Sequence, residues 1–96
     1  MADRATRWYG AELLRTPEGI EAALNAAFEE GDPLIIQDIL GDIARTRGMS
    51  EVSRSSGVAR QALYKALDSG GNPSFSTVLS VLNALGITLK INSIAA

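Results

Sequence analysis

Hydrophobic residues recur every three or four positions through much of the chain, the spacing typical of amphipathic helices. The first stripe follows Thr16 and Pro17, a residue that can cap a helix and one suited to its first turn. It stops at Gly31, where a C-terminal cap belongs. An aspartate, a proline and a closing glycine repeat these signals and predict a second helix over residues 33–47. Its broad apolar face indicates a central place in the core.

The end of the chain changes from a helical period to a period of two. Ser74 can cap a fifth helix, which Gly86 closes after an apolar face of phenylalanine, valine and leucine. Residues 87–91 then alternate apolar and polar side chains, which predicts a short C-terminal strand. A lone strand has unpaired edges, so we expect it to pair with another chain or to dock on the helices.

Between these elements lie two short helices that form the most informative part of the sequence. Ser50 can cap the first, Gly57 supplies a turn that tolerates a positive φ, and the second runs from about residue 60 to 67. Residue type and spacing fit a helix-turn-helix over residues 49–68 at six positions: Val52, Ser53, Gly57, Val58, Leu63 and Ala66. The pattern favours a DNA-binding domain, with a purely structural corner as the alternative.

The second helix of such a motif enters the major groove of DNA with its N-terminal residues leading. Arg60 can pair with guanine and Gln61 with adenine. Tyr64 can stack on a sugar or bond a phosphate, and Lys65 and Arg54 can neutralise phosphate. The alternative for each of the five is a solvated polar side chain. Few cations serve each copy, so we expect a homodimer on a two-fold operator in double-stranded DNA.

Composition narrows the function further. The 96 residues make one domain and contain neither cysteine nor histidine, which removes thiol chemistry, thiolate metal sites and the commonest general base. An enzyme using the carboxylates of Glu29, Glu30 and Asp32 is the rival class, but that cluster lacks a positioned base. We therefore expect a non-enzymatic protein with no cofactor, metal or small-molecule substrate. Without an apolar run of about 20 residues or a signal peptide, it is expected to be cytoplasmic rather than membrane-bound.

The net charge of −2 hides an asymmetry along the chain. Residues 12–42 hold eight acidic side chains and one arginine, whereas residues 43–96 hold six basic side chains and two acidic ones. Such a division indicates two partners, one cationic and one anionic. An ordinary solvated surface is the alternative.

Three segments are the most distinctive for comparison with known protein families: residues 40–45 (LGDIAR), 63–67 (LYKAL) and 71–75 (GNPSF). With them, residues 12–92 resemble the HigA-type antitoxins, which are antidote proteins of bacterial addiction modules. The resemblance implies an all-α, five-helix, lambda-repressor-like (XRE-type) helix-turn-helix domain. It also implies a type II antitoxin that neutralises a RelE/ParE-like toxin and represses its own operon. A plain helix-turn-helix transcription regulator without a toxin partner is the alternative.

The chain departs from the family pattern at the proposed DNA-binding helices. Glu51 stands where the family commonly has glutamine, Ser53 where it has alanine, and Ala59 where it has serine. Alanine at the start of the second helix removes a capping hydroxyl, and a glutamate repels phosphate. These changes bear on operator affinity rather than on the fold.

The acidic first half agrees with an antidote that holds a cationic toxin. On this interpretation residues 1–15 form an N-terminal arm, and residues 16–96 form the domain with an acidic front helix. Toxin contacts are expected from two aromatic and four acidic residues: Trp8, Tyr9, Glu18, Glu21, Glu29 and Glu30. The alternative for Trp8 is a lid over the domain's own core.

Overall fold

A computed structural model describes residues 12–68 and 70–94, and its described part is all α-helical, as predicted. A helical turn at Glu12 and Leu13 precedes the five helices. These are α1 (Pro17–Glu30), α2 (Pro33–Arg47), α3 (Met49–Ser56), α4 (Arg60–Leu67) and α5 (Phe75–Ala84). The predicted Trp8 and Tyr9 contacts lie outside the described residues.

Three helices begin at the capping residues that the sequence predicts. The Thr16 hydroxyl accepts the backbone N–H of Gly19 at 3.0 Å, and the Asp32 carboxylate accepts that of Leu34 at 3.0 Å. Ser74 caps α5 in the same way. Each side chain satisfies one of the N–H groups that a helix start leaves without a partner.

The cap predicted at Ser50 is wrong. Ser50 lies within the first turn of α3, and the capping position is Gly48, which makes no side-chain hydrogen bond. Gly48 also ends α2, where its N–H donates to the carbonyl of Ala44 at 2.8 Å. One residue therefore serves both helices and leaves no room for a separate serine cap.

The core lies around α2, which packs on α1, α3 and α4, while α3 also packs on α5. This confirms the central place predicted for the second helix. Leu14, predicted as part of the N-terminal arm, is among the buried residues. The buried apolar side chains are Leu14, Ile20, Ala23, Leu24, Ala27, Ile39, Leu40, Ile43, Ala44, Met49, Val52, Leu63, Leu67, Val81, Leu82 and Leu85.

The predicted strand over residues 87–91 is not found, since residues 87–94 have no regular secondary structure. Ile87 packs against the core and donates its N–H to the carbonyl of Leu82, but Ile91 is 91% exposed. A strand needs a neighbour for its backbone hydrogen bonds, and residues 12–68 and 70–94 contain no second strand. Alternation alone does not make a strand when the described part of the chain provides no partner for it.

Candidate nucleic-acid interface

The turn between α3 and α4 comprises residues 57–59 and is fixed by side chains as well as by glycine. Gly57 has a φ of 78°, in the left-handed region, and its N–H donates to the carbonyl of Ser53. The Ser53 hydroxyl reaches across the turn and donates to the carbonyl of Val58 at 2.7 Å. In sequence, Ser53 is one of the six positions that fit a helix-turn-helix. Its hydroxyl also ties the end of α3 to the start of α4.

The inner face of α4 is held by two leucines. Leu63 has no exposed surface and Leu67 is 2% exposed, while Val52 and Met49 are the buried residues of α3. Deep burial of these side chains fixes the rotation of α4 about its own axis. Of the remaining positions of the helix, Ala66 is half-buried and the others are exposed to solvent.

Four predicted DNA-binding residues share the outward side of α4, here called the basic face: Arg60, Gln61, Tyr64 and Lys65. All four are exposed, and the spacings of three and four residues among them make neighbours on the helix surface. The guanidinium carbon of Arg60 lies 5.7 Å from the centre of the Tyr64 ring, a cation–π contact. No acidic residue occurs within α4.

The fifth predicted residue, Arg54, is exposed in the last turn of α3. Glu51 is exposed three residues earlier on the same helix, so the two opposite charges are close. At the start of α4, Ala59 makes no side-chain capping bond. Backbone N–H groups at this helix end are therefore open to another acceptor, and a helix N-terminus favours an anionic one.

The acidic residues of α1 do not all lie on one side. All four predicted toxin contacts on this helix are exposed. At 3.6 residues per turn, Glu18, Glu21 and Glu29 lie within about 80° of one another, whereas Glu30 is about 120° from Glu18. We call Glu18, Glu21 and Glu29 the acidic face. Three of the four glutamates thus share one side of α1, with Glu29 about 16 Å along the helix axis from Glu18.

One edge of α1 and residues 86–91 enclose a groove of about 770 Å³ that the sequence did not predict. Phe28 of α1 lines this groove and is 38% exposed. Glu21 and Lys90 also line it. The apolar lining consists of Pro17, Leu24, Phe28, Ile87, Leu89 and Ile91.

A buried glutamine is the polar residue that sequence reasoning missed. Gln37 of α2 is 6% exposed, and its side-chain nitrogen donates to the carbonyls of Ala66 at 2.9 Å and Gly71 at 3.0 Å, and also to that of Asp68. These acceptors lie at the C-terminal end of α4 and just beyond it. The sequence signal was a polar residue inside an otherwise broad apolar helix face.

Two further findings concern the described residues only. No helix is long and apolar enough to cross a membrane. No group of three or more carboxylates is arranged to hold a metal ion.

These features define a small all-α protein with a basic face on one helix and an acidic face on another. Residues 4–93 match the family model described as "Probable addiction module antidote protein". The chain is also 43% identical, over 81 residues, to an uncharacterized protein of Haemophilus influenzae, with 84% of each chain covered. No solved structure matches the chain significantly.

The chain belongs to the family of addiction module antidote proteins, since the match covers nearly its whole length. This membership supports the role of antitoxin in a toxin–antitoxin system, with a toxin as its partner.

Proposed function

We propose that the protein is a HigA-type antitoxin of a type II module. It neutralises a RelE/ParE-like toxin and represses its own operon by binding operator DNA as a cytoplasmic homodimer. The observation that carries the DNA-binding part is the basic face of α4, held outward by Leu63 and Leu67. The family match supports the antitoxin part.

The α3–turn–α4 unit is the DNA-binding helix-turn-helix of this proposal, of the lambda-repressor-like (XRE) type. Arg60 and Gln61 stand at the N-terminal end of α4, the end that leads into a major groove. Both have the planar, bidentate groups that read guanine and adenine. Tyr64, Lys65 and Arg54 contact the sugar–phosphate backbone and set the register.

Dimerisation follows from the small number of cations. Each copy offers Arg54, Arg60 and Lys65 to DNA, and affinity grows with the number of phosphates neutralised. Two copies related by a two-fold axis double that number and read two half-sites, about 34–36 Å apart or a multiple of it.

The DNA-binding proposal is tested by fluorescence anisotropy on DNA from the protein's own promoter. Arg60→Ala removes the leading base contact and is expected to weaken specific binding by about 1–3 kcal/mol per half-site. Arg47→Ala, which removes the same charge from an exposed position on α2, is the matched control and changes operator binding little. An unchanged midpoint for Arg60→Ala contradicts the assignment.

The toxin-binding proposal rests on the acidic face of α1. A toxin that cleaves RNA must bind phosphate and therefore presents cationic surface, which Glu18, Glu21 and Glu29 attract. Glu30, Trp8 and Tyr9 complete the proposed contact set. Aromatic residues of this kind often anchor a protein interface.

Reversing the acidic face tests this contact. We expect Glu18→Lys with Glu21→Lys to slow association with the purified toxin, most strongly at low salt, and to leave DNA binding intact. Glu51→Lys with Asp68→Lys gives the same change in net charge away from α1 and serves as the control. Equal stopped-flow association rates for the parent and both variants show that the face is not the contact.

A growth assay distinguishes an antitoxin from a plain transcription regulator. The adjacent open reading frame is expressed alone and together with this protein. Growth arrest by the neighbour, relieved by the full chain, supports the antitoxin role. A neighbour without toxicity favours the alternative of a plain helix-turn-helix regulator, for which the basic face of α4 is the supporting observation.

A further inference from the structure

The C-terminal end of α4 differs from the C-terminal ends of α1 and α3. Helices α1 and α3 stop at Gly31 and Gly57, which adopt the left-handed conformation typical of a C-terminal cap. Asp68 ends α4 in an extended conformation. The last carbonyls of α4 therefore need hydrogen-bond donors from elsewhere in the fold.

Gln37 supplies those contacts from α2, 29 to 34 residues away along the chain. Its side-chain NH2 group, which has two hydrogens, lies within hydrogen-bond distance of three carbonyls, those of Ala66 within α4 and of Asp68 and Gly71 in the loop that follows, so one hydrogen is shared. Among the described residues it is the only buried polar or charged side chain. A buried amide surrounded by carbonyls admits few alternative arrangements, because each unpaired group is costly.

Two glycines allow the close approach that these hydrogen bonds require. A Cβ atom added at Gly41, one turn after Gln37 on α2, would lie 3.1 Å from the carbonyl oxygen of Leu67. A Cβ atom at Gly71 would overlap the carbonyl oxygens of Lys65 and Ala66. The end of α4 is thus enclosed by α2 on one side and by the following loop on the other.

We propose that Gln37 is a positioning residue for DNA recognition: it sets the angle of α4 on α2 and thereby the direction of the basic face. The inference rests on the proposed DNA binding by α4. Leu63 and Leu67 fix how α4 is rotated about its axis, but apolar packing is not directional. Hydrogen bonds at one end of the helix are directional and define its tilt.

The test replaces Gln37 by methionine, which has a similar volume and no hydrogen-bond donor. Residual dipolar couplings of the backbone amides give the orientation of α4 relative to α2. Anisotropy titrations compare the protein's own promoter DNA with a scrambled duplex of equal length. Leu24→Ala, a cavity variant on α1, is the control for lost stability without a change at α4.

We expect the α4 couplings of Gln37→Met to depart from the parent orientation. Promoter affinity should fall by about tenfold or more, since misdirected side chains lose base contacts. Affinity for scrambled DNA should change by less than about twofold, because phosphate attraction depends little on helix angle. For Leu24→Ala, the couplings and the promoter-to-scrambled ratio should remain those of the parent.

Unchanged α4 couplings in Gln37→Met would overturn the inference, as would equal losses on the two DNAs. If the parent itself does not discriminate between the DNAs, the proposed DNA-binding function fails, while the couplings still decide the role of Gln37. If Gln37→Met does not fold, Gln37→Asn gives the same two measurements. It keeps the amide and withdraws it from the carbonyls by one methylene.

Discussion

Helices α1 and α4 carry opposite charges to the surface, and they are also held in place by different means. Helix α1 has 14 residues, a threonine cap at its start and a left-handed glycine at its end. Helix α4 has eight residues, an alanine at its N-terminal cap and no glycine cap at its end. Both helices bury apolar side chains, but α1 also has caps of its own at both ends, whereas α4 has neither and depends on contacts with other elements.

The difference shows where each helix is vulnerable. An eight-residue helix is too short to be stable alone, so α4 depends on the burial of Leu63 and Leu67 and on the hydrogen bond from Gln37 to the carbonyl of Ala66 near its end. Helix α1 can lose one local contact and keep the others. Core and tertiary changes should therefore affect α4 most, and capping changes should have smaller effects at both helices.

Removal of the main anchor of α4 should produce the largest effect. Leu63→Ala leaves a cavity at a fully buried site and is expected to lower the free energy of unfolding by about 2–5 kcal/mol. Urea denaturation measures the loss. Tyr64→Ala, at the next and exposed position, should cost less than about 1 kcal/mol. Equal losses for the two variants would show that α4 does not depend on its buried anchor.

Loss of a local cap on α1 should have a smaller effect. Thr16→Ala removes the hydroxyl that accepts the Gly19 N–H, and should lower the free energy of unfolding by about 1 kcal/mol. Thr16→Ser keeps the hydroxyl and should stay within about 0.5 kcal/mol of the parent. Thermal unfolding monitored by circular dichroism compares the three proteins. A loss as large as that of Leu63→Ala would contradict the local character of α1.

The smallest effect is expected from adding the cap that α4 lacks. Ala59 has backbone angles outside the helical region, φ −58° and ψ 145°, so a serine there can accept an N–H of the first turn. Ala59→Ser should raise the free energy of unfolding by about 0.5–1 kcal/mol. The same substitution at the exposed helix-interior position, Ala62→Ser, should lower it slightly. If both substitutions lower the melting temperature, the N-terminus of α4 has no capping deficit.

The helices were predictable from sequence where their signals are local. Thr16, Asp32 and Ser74 cap through residues two or three positions away, so a short window contains the whole interaction. The cap predicted at Ser50 failed because α2 and α3 share Gly48, a consequence of how the two helices meet. A local sequence pattern does not predict the position of a junction such as Gly48, which depends on how two helices meet.

The candidate site was predictable in its exposed part. Periodicity placed Leu63 inward and Arg60 outward, and the structure agrees. Gln37 was missed because its acceptors are about 30 residues away and are backbone groups, which have no sequence signature. The strand predicted over residues 87–91 was wrong for a related reason. Alternation is a local pattern, but a strand forms only where a second strand pairs with it.

The segment at residues 87–94, which has no regular secondary structure, has a consequence for the behaviour of concentrated protein. Ile91 and Ile94 are 91% and 86% exposed, and a segment with β-forming residues and an open backbone is a template for intermolecular sheets. Lys90 is the single charge in that stretch and acts as its gatekeeper against aggregation. Screening of this charge at high salt is therefore expected to lower solubility by favouring contacts between the same segment in different copies.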